Sequence, residues 1–166
     1  MILIQASLIL LLSVSFSILI RYKEKIVSPK NYSKFNIIRY ALIFILDMAV
    51  LSLDYDTIGL ILLNIGVFLN LIVIVFNNGY MPVDINAFKK SLYFFELENH
   101  NVTVEDLFKE IQENRHIHIA MTSQTKFNFL GDKYGESVQS IGDIFIFIGH
   151  LLIIAELIFL LFSKLI

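Results

Sequence analysis

From Ile58 to Phe76 the chain carries no charged side chain, and Asn64 and Asn70 are the only polar ones. With Thr57 ahead of it the run is about 20 residues long, which at 1.5 Å per residue crosses a hydrocarbon core of roughly 30 Å. It reads as a membrane-spanning helix, and the rest of the chain has to be arranged around it. At about 100° per residue, Gly59, Gly66, Asn70 and Asn77 share one narrow arc. A stripe of small and amide side chains lets a second helix come close and offers it hydrogen bonds. Helix packing is the plain use of such a stripe, and a ligand or ion path is the alternative.

Three further apolar runs accompany this one. Ile2 to Ile20 has no Lys or Arg before it and is followed by Arg21, Lys23 and Lys25, so it lacks the charged start of a cleavable signal peptide. A retained helix is expected, with Ala6, Ser13 and Ser17 along one face. Arg21, Lys23, Lys25, Lys30, Lys34 and Arg39 then stand against the single Glu24, which by the positive-inside rule predicts a cytoplasmic loop and an outside amino terminus. Pro29 and the Ser, Asn and Tyr around it predict a break in any helix here. Ile37 to Leu53 is a short second run with Asp47 near its middle, closed by the acidic turn Asp54-Tyr55-Asp56-Thr57. Ile141 to Phe162 is the last run, entered behind Gly142 and Asp143. The expectation is an all-α membrane protein with four transmembrane helices and both termini outside, in a bacterial cytoplasmic membrane. Its parts are a three-span region over 1–76, a polar segment over 77–140 and a fourth transmembrane helix over 141–166.

The polar segment is patterned rather than disordered. Asp84 is placed to cap a helix running to about Glu98, with Ile85, Phe88, Leu92 and Phe95 at helical spacing. A second helix is predicted from Thr103, with Asp106 three residues on in a capping-box position and Val104, Leu107, Phe108 and Ile111 as its apolar stripe. Together they predict a small, mostly helical cytoplasmic cap between spans three and four.

Composition supports lipid as the solvent for much of the chain: 57% of residues are hydrophobic, against about 45 to 50% in soluble domains. A net charge of -2 argues against general nucleic-acid binding, which needs a basic footprint. Without cysteine there is no disulfide framework, thiolate metal site or cysteine nucleophile. The chain has no Trp, so Tyr22, Tyr40, Tyr55 and Tyr80 take the interfacial levels where Trp is usual.

Two constellations carry possible chemistry. Asp47, Asn64, Asn70, His150 and Glu156 fall at similar membrane depth, where a carboxylate costs at least about 2.5 to 3.5 kcal/mol and must face a partner. They make either a proton or cation relay or hydrogen-bonding glue between helices. The second lies in the polar segment, where His116 and His118 fall on one side of an extended stretch. With His100 and Asp132 added, the spacing matches no standard zinc pattern, so no metal and no cofactor is expected. Phosphate-loop, dinucleotide, zincin and nucleophile-elbow motifs are absent from the sequence.

Asn78-Gly79-Tyr80-Met81-Pro82-Val83 follows a span; then come His118, Met121-Thr122, Thr125-Lys126, Leu130-Gly131-Asp132 and Ser140-Ile141-Gly142-Asp143 leading into the last span. In that order these motifs resemble a family of small bacterial membrane proteins known as domain of unknown function 5317. The resemblance covers most of the chain, apart from a longer insert at about His100 to Arg115 and the lack of a proline-rich stretch between Gly131 and Ser140. It implies a bacterial integral membrane protein with these motifs folded at the cytoplasmic end of the bundle, and it implies no activity. The expected role is a non-catalytic component of a membrane complex, in contact with lipid and assembled as a homo-oligomer or with a larger membrane partner. The alternatives are an ion-coupled protein using Asp47, His150 and Glu156, and an enzyme on a lipid or phosphate-bearing substrate using His118, Asp132 and Asp143.

Overall fold

The computed structural model describes residues 31–51, 58–90 and 117–163, together with Thr103, Asp106 and Lys109. The described chain is mostly helical. Helix α1 spans Tyr32–Leu51, α2 Ile58–Phe76 and α4 Ile141–Ser163, with the one-turn helix α3 at Ile85–Lys89. Two short strands, β1 (Met81–Val83) and β2 (His118–Ala120), complete it. Helix α2 and the Ile141–Phe159 part of α4 are each long and apolar enough to cross a membrane. The run Ile2 to Ile20 and the apolar stripe Val104, Leu107, Phe108 and Ile111 lie outside the described residues.

Helices α2 and α4 run antiparallel with glycine facing glycine. A Cβ on Gly66 would lie 2.5 Å from the carbonyl oxygen of Gly142, and one on Gly59 would lie 2.9 Å from that of Gly149. Each pair is seven residues from the next, two helical turns on both sides, so the contact repeats and the backbones stay close along its length. Nothing larger than glycine fits at either crossing.

Helix α1 packs on a different face of α2 through large side chains. The Phe44 and Phe68 rings stand 5.4 Å apart. Beside them a groove of about 260 Å³ is lined by Phe44, Met48, Ile61, Asn64, Ile65 and Phe68. One expectation is corrected here: the helix begins at Tyr32, so Lys34 and Arg39 are helical residues rather than part of a broken basic loop. The stretch from Phe35 to Leu51 holds apolar residues at almost every position, and neither Pro29 nor Asn31 falls inside it.

The end of α2 is a local design legible in its sequence. Asn78 takes a left-handed φ of 55° and Gly79 one of 93°. The Gly79 N–H reaches the Ile74 carbonyl at 2.8 Å and the Asn78 N–H the Val75 carbonyl at 3.3 Å, which is the Schellman ending with asparagine at the left-handed position. Gly79 sits against the Ser33 backbone of α1, where a side chain would collide.

Past that turn the fold departs from helices alone. Strand β1 pairs in parallel with β2 in the register Met81↔His118, Pro82↔Ile119 and Val83↔Ala120. On its other edge Val83 bridges Asp132 in parallel. The Pro82 carbonyl accepts from the Asp132 N–H at 2.9 Å, so the donor that proline lacks is missing from the Asp132 edge and not from the β2 pairing. Asp84 caps α3, accepting from the Asn86 N–H at 2.8 Å. That helix ends with Lys90 at its cap, short of the Glu98 anticipated, and Leu92 and Phe95 lie outside the described residues. Val73, Ile74, Met81 and Leu130 form the buried cluster joining helix ends to sheet, with Ile37, Tyr40, Leu69 and Ile141 packed on it.

Candidate functional site

The motif residues converge on one end of the α2–α4 pair. Ser140 caps α4: its hydroxyl accepts the Asp143 N–H at 2.9 Å, and the Asp143 carboxylate accepts the Ser140 N–H at 3.2 Å. This is a capping box with aspartate in the third position. Asn70 locks it to α2. Its amide donates to the other Asp143 oxygen at 2.8 Å and its carbonyl accepts the Ser140 hydroxyl at 2.8 Å. Both oxygens of Asp143 are thereby engaged. Gly142 is required beside them, because a side chain there would collide with the Asn70 amide.

Asn77 makes the second lock. Its amide donates to the Val73 carbonyl at 2.8 Å and to the Lys126 carbonyl at 2.9 Å, and its side-chain oxygen accepts the Lys126 N–H at 2.8 Å. The side chain thus stands in for a strand partner and holds the 121–130 loop to the end of α2. Inside that loop Thr122, Thr125 and Asn128 build a turn: the Thr122 N–H donates to Thr125 Oγ1 at 2.9 Å, and the Asn128 amide donates to the Thr122 carbonyl at 2.9 Å. Gly131 lies where a Cβ would be 2.6 Å from the Pro82 carbonyl oxygen.

His118 and Asp132 come together across the sheet, His118 Nε2 standing 3.3 Å from Asp132 Oδ2. The pair is mostly buried, with the side chains 20% and 11% exposed. It spans from β2 to the bridge residue and so clamps both edges of β1. With Nε2 facing the carboxylate, the other ring nitrogen is the basic position in the neutral imidazole, and it is buried without a hydrogen-bond partner among the described residues. His116 lies outside the described residues. Among those described, no group of three metal-ligating side chains forms.

The set expected at membrane depth is distributed rather than joined. Asn70 belongs to the α4 lock. His150 Nδ1 lies 2.8 Å from the Ile146 carbonyl of its own helix. The Asn64 amide donates to the Leu60 carbonyl at 3.0 Å, and Asn64 lines the α1 groove. Asp47 is buried on α1, and Glu156 is half-buried beyond the glycine crossings. Among the described residues, no hydrogen bond or ion pair joins Asp47, His150 and Glu156 to one another.

Three contributors were not foreseen. Asn36 donates to the Gly79 carbonyl at 2.8 Å and ties α1 to the turn. Arg39 is buried with its guanidinium 4.6 Å from the Tyr40 ring centre, an arrangement worth about 1 kcal/mol or more when desolvated. Asn128 completes the threonine turn. Asn36 and Arg39 stand one turn apart at the start of α1, where the basic residues suggest a loop running into the second span, so no periodicity exposes them.

The model of a family of unknown function (DUF5317) matches residues 1–155. No curated protein and no solved structure matches the chain.

Proposed function

The chain belongs to that family of unknown function, and from this premise we propose that it is a multi-pass protein of the bacterial cytoplasmic membrane and a non-catalytic component of a membrane complex. Four spans place both termini outside and the motif-bearing segment in the cytoplasm. The observation that carries the membrane reading is the outer surface of α4, which meets α2 along one glycine edge and leaves Phe147, Leu151, Ile154, Ile158, Phe159 and Phe162 exposed. In water such a continuous apolar face is costly, and in lipid it is neutral. The complex reading draws on the open groove between α1 and α2, lined by Phe44, Met48, Ile61, Asn64, Ile65 and Phe68, and on the small-residue stripe Ala6, Ser13 and Ser17 of the first run, both of which suit a further helix.

Purification in mild detergent followed by mass spectrometry tests this. A stoichiometric membrane-protein partner or a defined homo-oligomer is expected, and a monodisperse monomer from a membrane-free extract would refute it. A second reading, an enzyme on a lipid or phosphate-bearing substrate, draws on the His118–Asp132 pair alone, since Asp143 is engaged in capping. His118→Gln abolishes function with normal assembly on that reading, and leaves function intact on the first.

A further inference from the structure

Between residues 77 and 140 the described apolar side chains are mostly tucked into the sheet and the helix ends. Phe127, 38% exposed, and Phe129, 57% exposed, are the large apolar side chains left out among them. Neither is loose. Phe127 Cα holds a left-handed φ of 56°, a conformation bulky residues rarely adopt. It is fixed there by the Asn77–Lys126 lock on one side and by the Leu130 N–H, which donates to the Phe127 carbonyl at 2.8 Å, on the other. The Phe129 carbonyl accepts the Tyr134 hydroxyl at 2.7 Å.

This constrained loop sets the Phe127 ring 5.1 Å from Phe76, edge to face, with Phe129 a further 6.4 Å from Phe127. Phe76 is the last residue of α2 and is 60% exposed. At about 100° per residue it lies within roughly 20° of Ile58 and Ile65, which are also exposed. The two loop aromatics therefore prolong the outward apolar face of α2 beyond the helix end. Lys126 precedes them directly in sequence, and Lys133 lies 5.2 Å from the Tyr134 ring centre.

We propose that Phe76, Phe127 and Phe129, flanked by Lys126 and Lys133, form a membrane-interface anchor that seats the motif-bearing segment on the bilayer, its occupant being phospholipid. The proposal rests on the membrane reading above. Apolar rings sunk into the acyl–headgroup boundary with lysines reaching the phosphates are how a surface lying in the membrane interface binds it. Continuity with the exposed face of α2 supports lipid as the occupant rather than a soluble protein.

The chain has no tryptophan, so F129W is a single-site reporter and F159W, on the exposed face of α4, its control. Each variant of the full-length protein is reconstituted in phosphatidylcholine–phosphatidylglycerol vesicles brominated either near the headgroup or deep in the acyl chain. The expected result is that shallow bromines roughly halve F129W emission, as for an interfacial indole, and aqueous acrylamide has little effect. F129W quenched by acrylamide and not by bromolipid, with F159W quenched by deep bromines, overturns the anchor and leaves the membrane reading standing. F159W untouched by either bromolipid overturns both. If F129W fails to fold, Phe129→Cys carrying a nitroxide, unique in a cysteine-free chain, reports the same depth by oxygen against nickel-chelate relaxation.

Discussion

Helix α2 is packed on two faces by opposite means. Toward α4 it offers Gly59 and Gly66 to Gly149 and Gly142, so backbone meets backbone and the register is set by where glycine stands. Toward α1 it offers Ile61, Asn64 and Phe68, which hold the partner off and leave a groove. Small residues give up side-chain contact and gain close approach, many weak dispersion contacts and Cα–H···O geometry. Large ones fill space unevenly. The motif-bearing segment is built on the first face: the Asn70 lock to Ser140 and Asp143 begins where the glycine seam ends.

The largest way to break this contrast is Gly66→Leu, which forces a side chain into the Gly142 carbonyl and is expected to cost about 3 kcal/mol. Met48→Ala, on the groove side, is expected to cost less than about 1 kcal/mol because an exposed side chain beside a void loses few contacts. Unfolding in mixed detergent micelles measures both, and equal losses would abolish the distinction. Asn77→Ala comes next: two hydrogen bonds to Lys126 at roughly 1 kcal/mol each hold the 121–130 loop, and a third ties the side chain to Val73 of its own helix. Proteolysis within that loop should accelerate while α2–α4 packing persists. Asn70→Ala, with two hydrogen bonds, should cost about 2 kcal/mol and loosen the start of α4, read as faster amide exchange at Asp143.

The smallest effect concerns the polar segment. Thr103 and Asp106 form the reciprocal capping box, the Thr103 hydroxyl donating to the carboxylate at 2.7 Å and the Thr103 N–H at 2.9 Å. The hydroxyl bond first, then the backbone bond, holds the Asp106 carboxyl below the ordinary aspartate range. A depressed folded value contributes above the unfolded one, about 4, and is lost as pH falls through the folded one. NMR titration of Asp106 should show the depression, and Thr103→Ala should lessen it by removing the hydroxyl bond while the backbone bond stays.

Much of the helical frame was legible because its signals are local. The seven-residue spacing of Gly59 and Gly66 and the amides that follow announced a packing face without naming its partner. Gly142 and Asp143 announced a helix start, although the residue that caps it is Ser140, and Asn78-Gly79 marked where the preceding run ends. The sheet was not legible: β1 and β2 are three residues each, pair in parallel at an offset of 37 positions in the register Met81↔His118, and show no alternation long enough to detect. The same limit hid the site. His118 meets Asp132 only because the sheet aligns them, and Asn77 reaches Lys126 only once the Schellman turn has fixed its direction. The start of α1 was misjudged because Pro29 marks where a helix is barred but not how soon after it one begins.

The central claim, an antiparallel α2–α4 pair whose register is set by glycine, is tested most directly by disulfide mapping in native membranes, since the chain supplies no cysteine of its own. Leu63→Cys, between the two glycine contacts on α2, is combined in turn with Ile146→Cys, between those on α4, and with Phe159→Cys, well outside them. Rapid intrachain crosslinking at Ile146→Cys and none at Phe159→Cys is the predicted result. Crosslinking of Leu63→Cys to Phe159→Cys, with none to Ile146→Cys, would contradict it.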